Sequence, residues 1–305
     1  LEEDKSILNN TIFRVKVWET IPFNYPWQKQ FANDGVAESR TNMNALAALA
    51  FENQVTIDTS VRTTLLSSVT AIDNQVSKSL TDDTLFADFK TAVSNAKVKI
   101  NDTIQTGSAV MVSIIYLINY PVETVQSVAD RLNIFTEIAT KLTDIILKTG
   151  SKNEVSIYES LMSPIIGAMA VSAMFPSDDD YQLRTEIISA VDTVRTSYEN
   201  YLQKLDELMG VRSDDVDSFT ADSETLRELN NAVMEALANI YDYALGAKQE
   251  RVVYLEEDSN AIILAHRFYG LDKEDENLNF FIDSNSLNIN EMLEIKKGRK
   301  IYYYI

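Results

Sequence analysis

The chain of 305 residues contains one histidine and no cysteine. That histidine, His266, would have to serve any Ser-His-Asp triad, yet the sequence has no Gly-x-Ser-x-Gly elbow. It stands beside Arg267 in an apolar-periodic stretch, which points to a packing or surface role. Without cysteine there is no thiolate nucleophile and no disulfide, and zinc would need mostly carboxylates, an uncommon set. Carboxylates are plentiful, with 46 Asp and Glu in all. Asp178-Asp179-Asp180 reads as ligands for a hard cation or as a helix cap, and the cap alone explains it. Asp272-Lys273-Glu274-Asp275-Glu276 lacks the alternating ligand spacing of a calcium loop. A glycosidase-type carboxylate pair has no sequence mark that sets it apart from so many acids. Glycine numbers only 8, and no phosphate-cradling glycine loop occurs. The expectation is a protein that is not an enzyme, with no metal and no cofactor.

The formal net charge of −19 repels phosphate backbones, so no direct nucleic-acid binding is expected. Against that background Lys296-Lys297-Gly298-Arg299-Lys300 is the densest basic cluster, and Tyr302-Tyr303-Tyr304 follows it. Exposed tyrosine beside cations suits a protein interface, and a solvated basic turn fits the same residues. If the tyrosine run is a strand, its faces alternate and Tyr303 or its neighbours point outward. Lys296, Lys297, Arg299, Lys300 and Tyr303 are therefore the candidate contacts to an acidic partner.

The elements that position these residues follow from periodicity. Residues 1–34 differ from the rest: Phe13, Val15 and Val17 alternate with Arg14 and Lys16 as in a strand, and Pro22 to Trp27 reads as a connector. This part is either an arm or the end of a missing β-rich domain, and a chain that begins at Leu1 reads as a fragment or a processed product. From 35 to 250 a helical domain is expected. Met43, Ala47 and Ala50 mark its first helix after Gly35, and Val61, Leu65, Val69 and Ile72 its second. A third helix starts at Thr81-Asp82-Asp83 and ends at Thr106-Gly107. Ala109 to Tyr120 is a fourth, broken at Asn119 so that Pro121 opens the next, which stops at Gly150. Val155 to Phe175 is apolar on every face and must be central, with Gly167, Ala168, Ala170 and Ala173 allowing close neighbours. No apolar run reaches the length of about 18 residues expected of a membrane span. Ser177 to Asp180 opens a long helix to Gly210, residues 211–224 form an acidic loop, and Leu226 to Gly246 is the last long helix. In residues 251–305 a strand at Val252-Val253-Tyr254 leads to a helix ending at Gly270. A second helix ends near Asn285, and a turn at Lys297-Gly298 opens a strand from Ile301 to Ile305. The expected fold is mainly α: a helical bundle with a small C-terminal β-α-α-β module.

That module resembles a LysM module. The likeness rests on a strand opening into Asp258-Ser259, a helix ending in Phe268-Tyr269-Gly270, Asn285 before Leu287, and the Gly298 turn into a closing strand. Leu226-Arg227-Glu228, Ala232-Val233-Met234 and Leu237-Ala238 extend the likeness upstream, toward the phage Mu-type tail proteins labelled DNA circularisation proteins. The resemblance implies a structural component of a contractile phage tail or related injection machine, in the baseplate or tail hub. Its implied partners are other hub, tube and wedge proteins, within a symmetric multimer in the virion, assembled in the bacterial host cytoplasm. It implies equally a possible glycan groove between residues 256–260 and 285–290. Asp258, Ser259, Asn285, Ser286 and Asn288 are its matching positions, and peptidoglycan binding is the alternative function. The acidic first loop, Glu256-Glu257-Asp258, favours protein contact over sugar.

Overall fold

Capping chemistry, as much as apolar spacing, sets where the helices begin. The computed structural model describes residues 2–4, 12–14, 26–149, 151–177, 180–181, 183–210, 219–246, 248–270 and 276–304. Two short strands, β1 (Glu2–Asp4) and β2 (Ile12–Arg14), pair antiparallel with Glu3 opposite Phe13. The body then comprises α1 (Pro26–Gln54), α2 (Thr59–Ser79), α3 (Asp83–Asn101), α4 (Gly107–Thr124), α5 (Val128–Ile146), α6 (Lys152–Met174), α7 (Arg184–Gly210) and α8 (Ser223–Gly246). Asp58, Asp82, Thr106, Ser127 and Ser151 each turn a side-chain oxygen onto a first-turn N–H of the helix that follows. Asp222 does the same for α8, accepting the Thr225 N–H at 2.8 Å.

α6 is the axis of the body. Val155 to Met174 are all buried, and α1, α4, α5, α7 and α8 pack around them. By length and composition α6 could cross a membrane, but its apolar stretch is wholly enclosed by protein. Gly167 shows why small residues matter there: a Cβ at this position would lie 2.6 Å from the Met43 Cε of α1. The stripe Val61, Leu65, Val69 and Ile72 of α2 is buried as expected, and so are Ile187, Val191, Val194 and Tyr201 of α7.

Several boundaries differ from the sequence reading. α1 starts at Pro26, ahead of the expected start after Gly35, because proline fits the first helical position, where its missing N–H costs nothing. Thr106 caps α4 and Gly107 is its first residue, so this pair opens a helix and does not close α3. α4 runs through Pro121 to Thr124: in a last turn proline forfeits one bond, and the Thr124 hydroxyl donates to the Tyr120 carbonyl at 2.8 Å. The next helix therefore opens at Ser127, not Pro121. α7 opens at Arg184, not at Ser177. Asp180 instead folds back, accepting from the Ser177 N–H and hydroxyl at 2.9 Å and from the Val128 N–H at 3.1 Å, so it caps α5. Arg131 beneath it is buried and donates to the carbonyls of Val122 at 3.3 Å and Phe175 at 2.5 Å. Asp178, Asp179, Gly150, Val15, Val17, residues 22–25, residues 211–218, the acidic run 272–275 and Ile305 lie outside the described residues.

The terminal module is β3 (Glu250–Tyr254), α9 (Ala261–Tyr269), α10 (Glu276–Ser284), α11 (Ile289–Leu293) and β4 (Lys300–Tyr304). β3 and β4 pair antiparallel, with Val252 opposite Tyr302. Both expected strands and the stop at Gly270, where φ is +82°, are present. α11 was not expected; Asn288 and Glu291 close a reciprocal capping box around it. The module has its own core of Leu255, Leu264, Phe281, Leu287, Ile295 and Ile301, which shares no residue with the core of the body. The join is a backbone bond from Arg184 N–H to the Lys248 carbonyl at 3.1 Å.

Candidate docking surface of the terminal module

Asn285 is the residue the module is closed upon. Its side-chain oxygen accepts the Tyr302 N–H at 2.7 Å, and its amide donates to the Tyr302 carbonyl at 2.8 Å and the Phe281 carbonyl at 3.0 Å. A side-chain amide has the donor and acceptor of a peptide unit, so Asn285 acts as a one-residue strand along β4. The residue is buried and its hydrogen-bonding groups are spoken for. The same edge is completed by the Tyr269 hydroxyl, which accepts the Tyr304 N–H at 3.0 Å.

The first loop and the basic turn meet. Asp258 accepts from the Lys297 N–H at 2.8 Å and from Lys296 Nζ at 3.1 Å, and these bonds hold its carboxyl below the usual range. Lys296 Nζ also reaches Glu294 at 2.5 Å, and its pKa is raised by the two carboxylates. Ser259 and Ile295 exchange backbone bonds at 2.9 and 2.7 Å. Ser286 sits at φ +48°, where its N–H bonds back to Asp283 and turns the chain out of α10. Asn288 caps α11 through the N–H groups of Asn290 and Glu291. Thus the side chains of Asp258, Asn285 and Asn288 and the backbone of Ser259 have structural duties, while among the described residues the hydroxyls of Ser259 and Ser286 have no bond.

The basic candidates divide. Arg299 pairs with Glu291 at 3.4 Å, and Lys300 donates to the Tyr302 hydroxyl at 2.6 Å and lies over that ring. Lys297 is exposed, with no ion pair among the described residues. Tyr303 does not point outward: its ring stacks on Phe268 of α9 at 4.2 Å between centroids. Ile301 and Tyr303 share the face of β4 that the helices cover, so Tyr302 takes the outer face.

Four large apolar side chains that the sequence reading did not single out stand exposed on α9 and α11 of the module. Ile289 and Leu293 are one helical turn apart on α11 and are 78% and 79% exposed. Ile262 and Ile263 on the first turn of α9 are also exposed, and α9 and α11 are in contact. The signal was available: Ala261, Leu264 and Ala265 form the buried stripe of α9, which leaves positions 262 and 263 off it. Aliphatic side chains this exposed mark contact surfaces when they gather.

Exposed apolar residues also occur on the body, with Val112 and Tyr116 one helical turn apart on α4 among them. His266 is exposed on α9. A cleft of about 740 Å³ between α5 and α7 is lined by Ser127, Leu132, Asn133, Thr136, Ser189 and Thr193, and its Asp180 carboxylate is already bonded as described. Glu159 is buried in α6, where one oxygen accepts the Asp222 N–H at 2.8 Å and burial pushes its pKa up to about 7. Its neighbour Tyr201, pushed well up by burial, shares a 2.8 Å bond with Ser163. Both side chains are buried in the core of the body. Among the described residues no three His, Asp or Glu converge as a metal site. Compared with known protein families and with characterised proteins, the chain matches none.

Proposed function

We propose that the chain is a structural subunit that works by protein–protein assembly, and that its module is a LysM-like fold used for docking. The setting that agrees with the sequence resemblance is the baseplate or tail hub of a contractile phage tail or related injection machine. The helical body supplies a rigid mass around α6, and the module offers the contact surface. One observation carries this reading. The amides and the carboxylate that a sugar groove would use, on Asn285, Asn288 and Asp258, are bonded within the module, while Ile262, Ile263, Ile289 and Leu293 stand exposed on α9 and α11. A glycan site needs free amides and hydroxyls, and a protein site needs apolar anchors ringed by polar groups. The net charge of −19 sets the partner apart from nucleic acid and favours one that meets the basic turn with acid.

The test compares two full-length variants in a particle-assembly assay. Ile289→Asp with Leu293→Asp removes the apolar anchors, and Ser259→Ala with Ser286→Ala removes the two unbonded groove hydroxyls. The docking reading expects assembly yield to collapse in the first variant and hold in the second. It also expects no saturable binding of chitooligosaccharide by the wild-type chain. Saturable sugar binding that the double serine variant abolishes, with assembly intact in the anchor variant, replaces docking with glycan recognition.

A further inference from the structure

The two outer edges of the β3–β4 pair are finished differently. Tyr302 spends its N–H and carbonyl on Asn285, so both groups point away from β3. In an antiparallel pair the opposite residue does the same, so Val252 points its N–H and carbonyl away from β4. By the same alternation Glu250 and Tyr254 face outward on β3. None of these outward groups has a partner among the described residues, whereas on β4 Asn285 and Tyr269 fill the edge. Upstream, the outward carbonyl of Lys248 is taken by Arg184. The open edge is therefore the five residues of β3 and no more. It has no proline, glycine or bulge; its charges, Glu250 and Arg251, sit at one end, and Val252 and Tyr254 are 44% and 63% exposed.

We propose that β3 pairs antiparallel with β3 of a second copy of this chain, about a two-fold axis at Val252. The register is self-complementary. Val252 meets Val252 of the other copy, Glu250 meets Tyr254, and Arg251 meets Val253, so no like charges stand directly opposite. Outward N–H and carbonyl groups coincide at residues 250, 252 and 254, as a hydrogen-bonded antiparallel ladder needs. Both ends of the ladder are bounded. At one end Leu255 adds a last rung to β4 through Arg299 and Gly298 and the chain bends at residues 256–257, and at the other the edge at Lys248 is taken by Leu183 and Arg184. The product is a four-stranded sheet in the order β4-β3-β3-β4, with its two outermost edges closed by Asn285. This edge is separate from the apolar docking surface, so the inference stands without that reading. A five-residue ladder belongs to the small class of interfaces, and pairing is expected at high protein concentration. Two chains of charge −19 repel, so added salt should tighten the contact.

The experiment is amide hydrogen exchange on the full chain at low and high concentration, with sedimentation on the same samples. The expected result alternates along the strand: amides of Glu250, Val252 and Tyr254 slow at high concentration, while Arg251 and Val253, already bonded to β4, stay as they were. Sedimentation should show a dimer that strengthens with salt. Val252→Lys, at a half-exposed position, places two ammonium groups opposite each other at the axis and should weaken dimerisation at least tenfold; Val252→Thr should leave it. Equal exchange at both concentrations, or a dimer that persists in Val252→Lys, overturns the proposal. An extended peptide from another protein that protects the same three amides, with this chain monomeric throughout, overturns it in favour of a foreign strand.

Discussion

The body and the terminal module bury apolar interiors by different means. Around α6 nearly everything is done by side-chain volume: twenty consecutive residues, Val155 to Met174, are buried, and the neighbouring helices pack against them. In the module the core is a handful of side chains, and the chain path is fixed by polar side chains gripping backbone. Asn285 holds β4, Asp258 holds the basic turn, Asn260 caps α9 and Asn288 caps α11. The first kind of specification is distributed, so no single contact decides it. The second is concentrated, and one amide can decide whether a strand stays.

This contrast can be broken by variants that should act on one region and leave the other alone. Phe135→Ala opens a cavity in the body core and should cost about 3–5 kcal/mol. In a thermal scan it should lower the body transition and leave the module transition in place. A single transition that moves as a whole would show that the two cores unfold together. Next comes pH. Glu159 is neutral in the folded state up to about pH 7, while in the unfolded chain it ionises near 4.5. The folded state thus holds the extra proton between those values. Body stability should be full below about pH 4.5, fall as pH rises, and level off above about 7, a change on the order of 3 kcal/mol. Glu159→Gln keeps the acceptor for the Asp222 N–H and should flatten this profile in chemical denaturation; an unchanged slope would place the titrating group elsewhere.

Asn285→Ala strips β4 of two bonds at a buried site and should lower the module transition by about 2–3 kcal/mol, with the body unmoved. Asn285→Gln should not restore it, since the longer side chain cannot hold the same two-point grip. The smallest effect is expected from Asp258→Asn. Its carboxylate is exposed and depressed by Lys297 and Lys296, so its contribution is present at neutral pH and lost as pH falls through the acidic range. The variant should erase that acid-side loss in the module transition and change little at pH 7.

The same contrast explains what was legible in the sequence. The stripes of α2, α5 and α7 come from apolar spacing, and Val61, Leu65, Phe135, Ile138, Val191 and Val194 are buried where that spacing places them. Gly167 could be read as a close-approach residue because a whole helix of small and apolar residues surrounds it. Asn285 and Asn288 looked like sugar donors, since an asparagine in a loop shows its chemistry but not which backbone stands opposite it. The outward position was open between Tyr303 and its neighbours, because alternation gives two faces without saying which one the helices cover. α11, with five residues, is too short for a period to show, although Asn288 and Glu291 spell its capping box. Asp180 was right as a cap and assigned to the wrong helix: its target, Val128, is 52 residues away in sequence.

The pairing of Glu250 with Tyr304 also has a mechanical consequence. The first and last residues of the module's sheet are neighbours, so the strand that enters from the body and the strand that ends the sheet meet at one end of the ladder. Tension between the body and the end of β4 would load the ladder at that pair first and open it one rung at a time, a peeling geometry that yields at low force. The peel would meet the Tyr269 hydroxyl on the Tyr304 N–H at once, and two residues further in the two-point grip of Asn285 on Tyr302, each holding the strand from the other side.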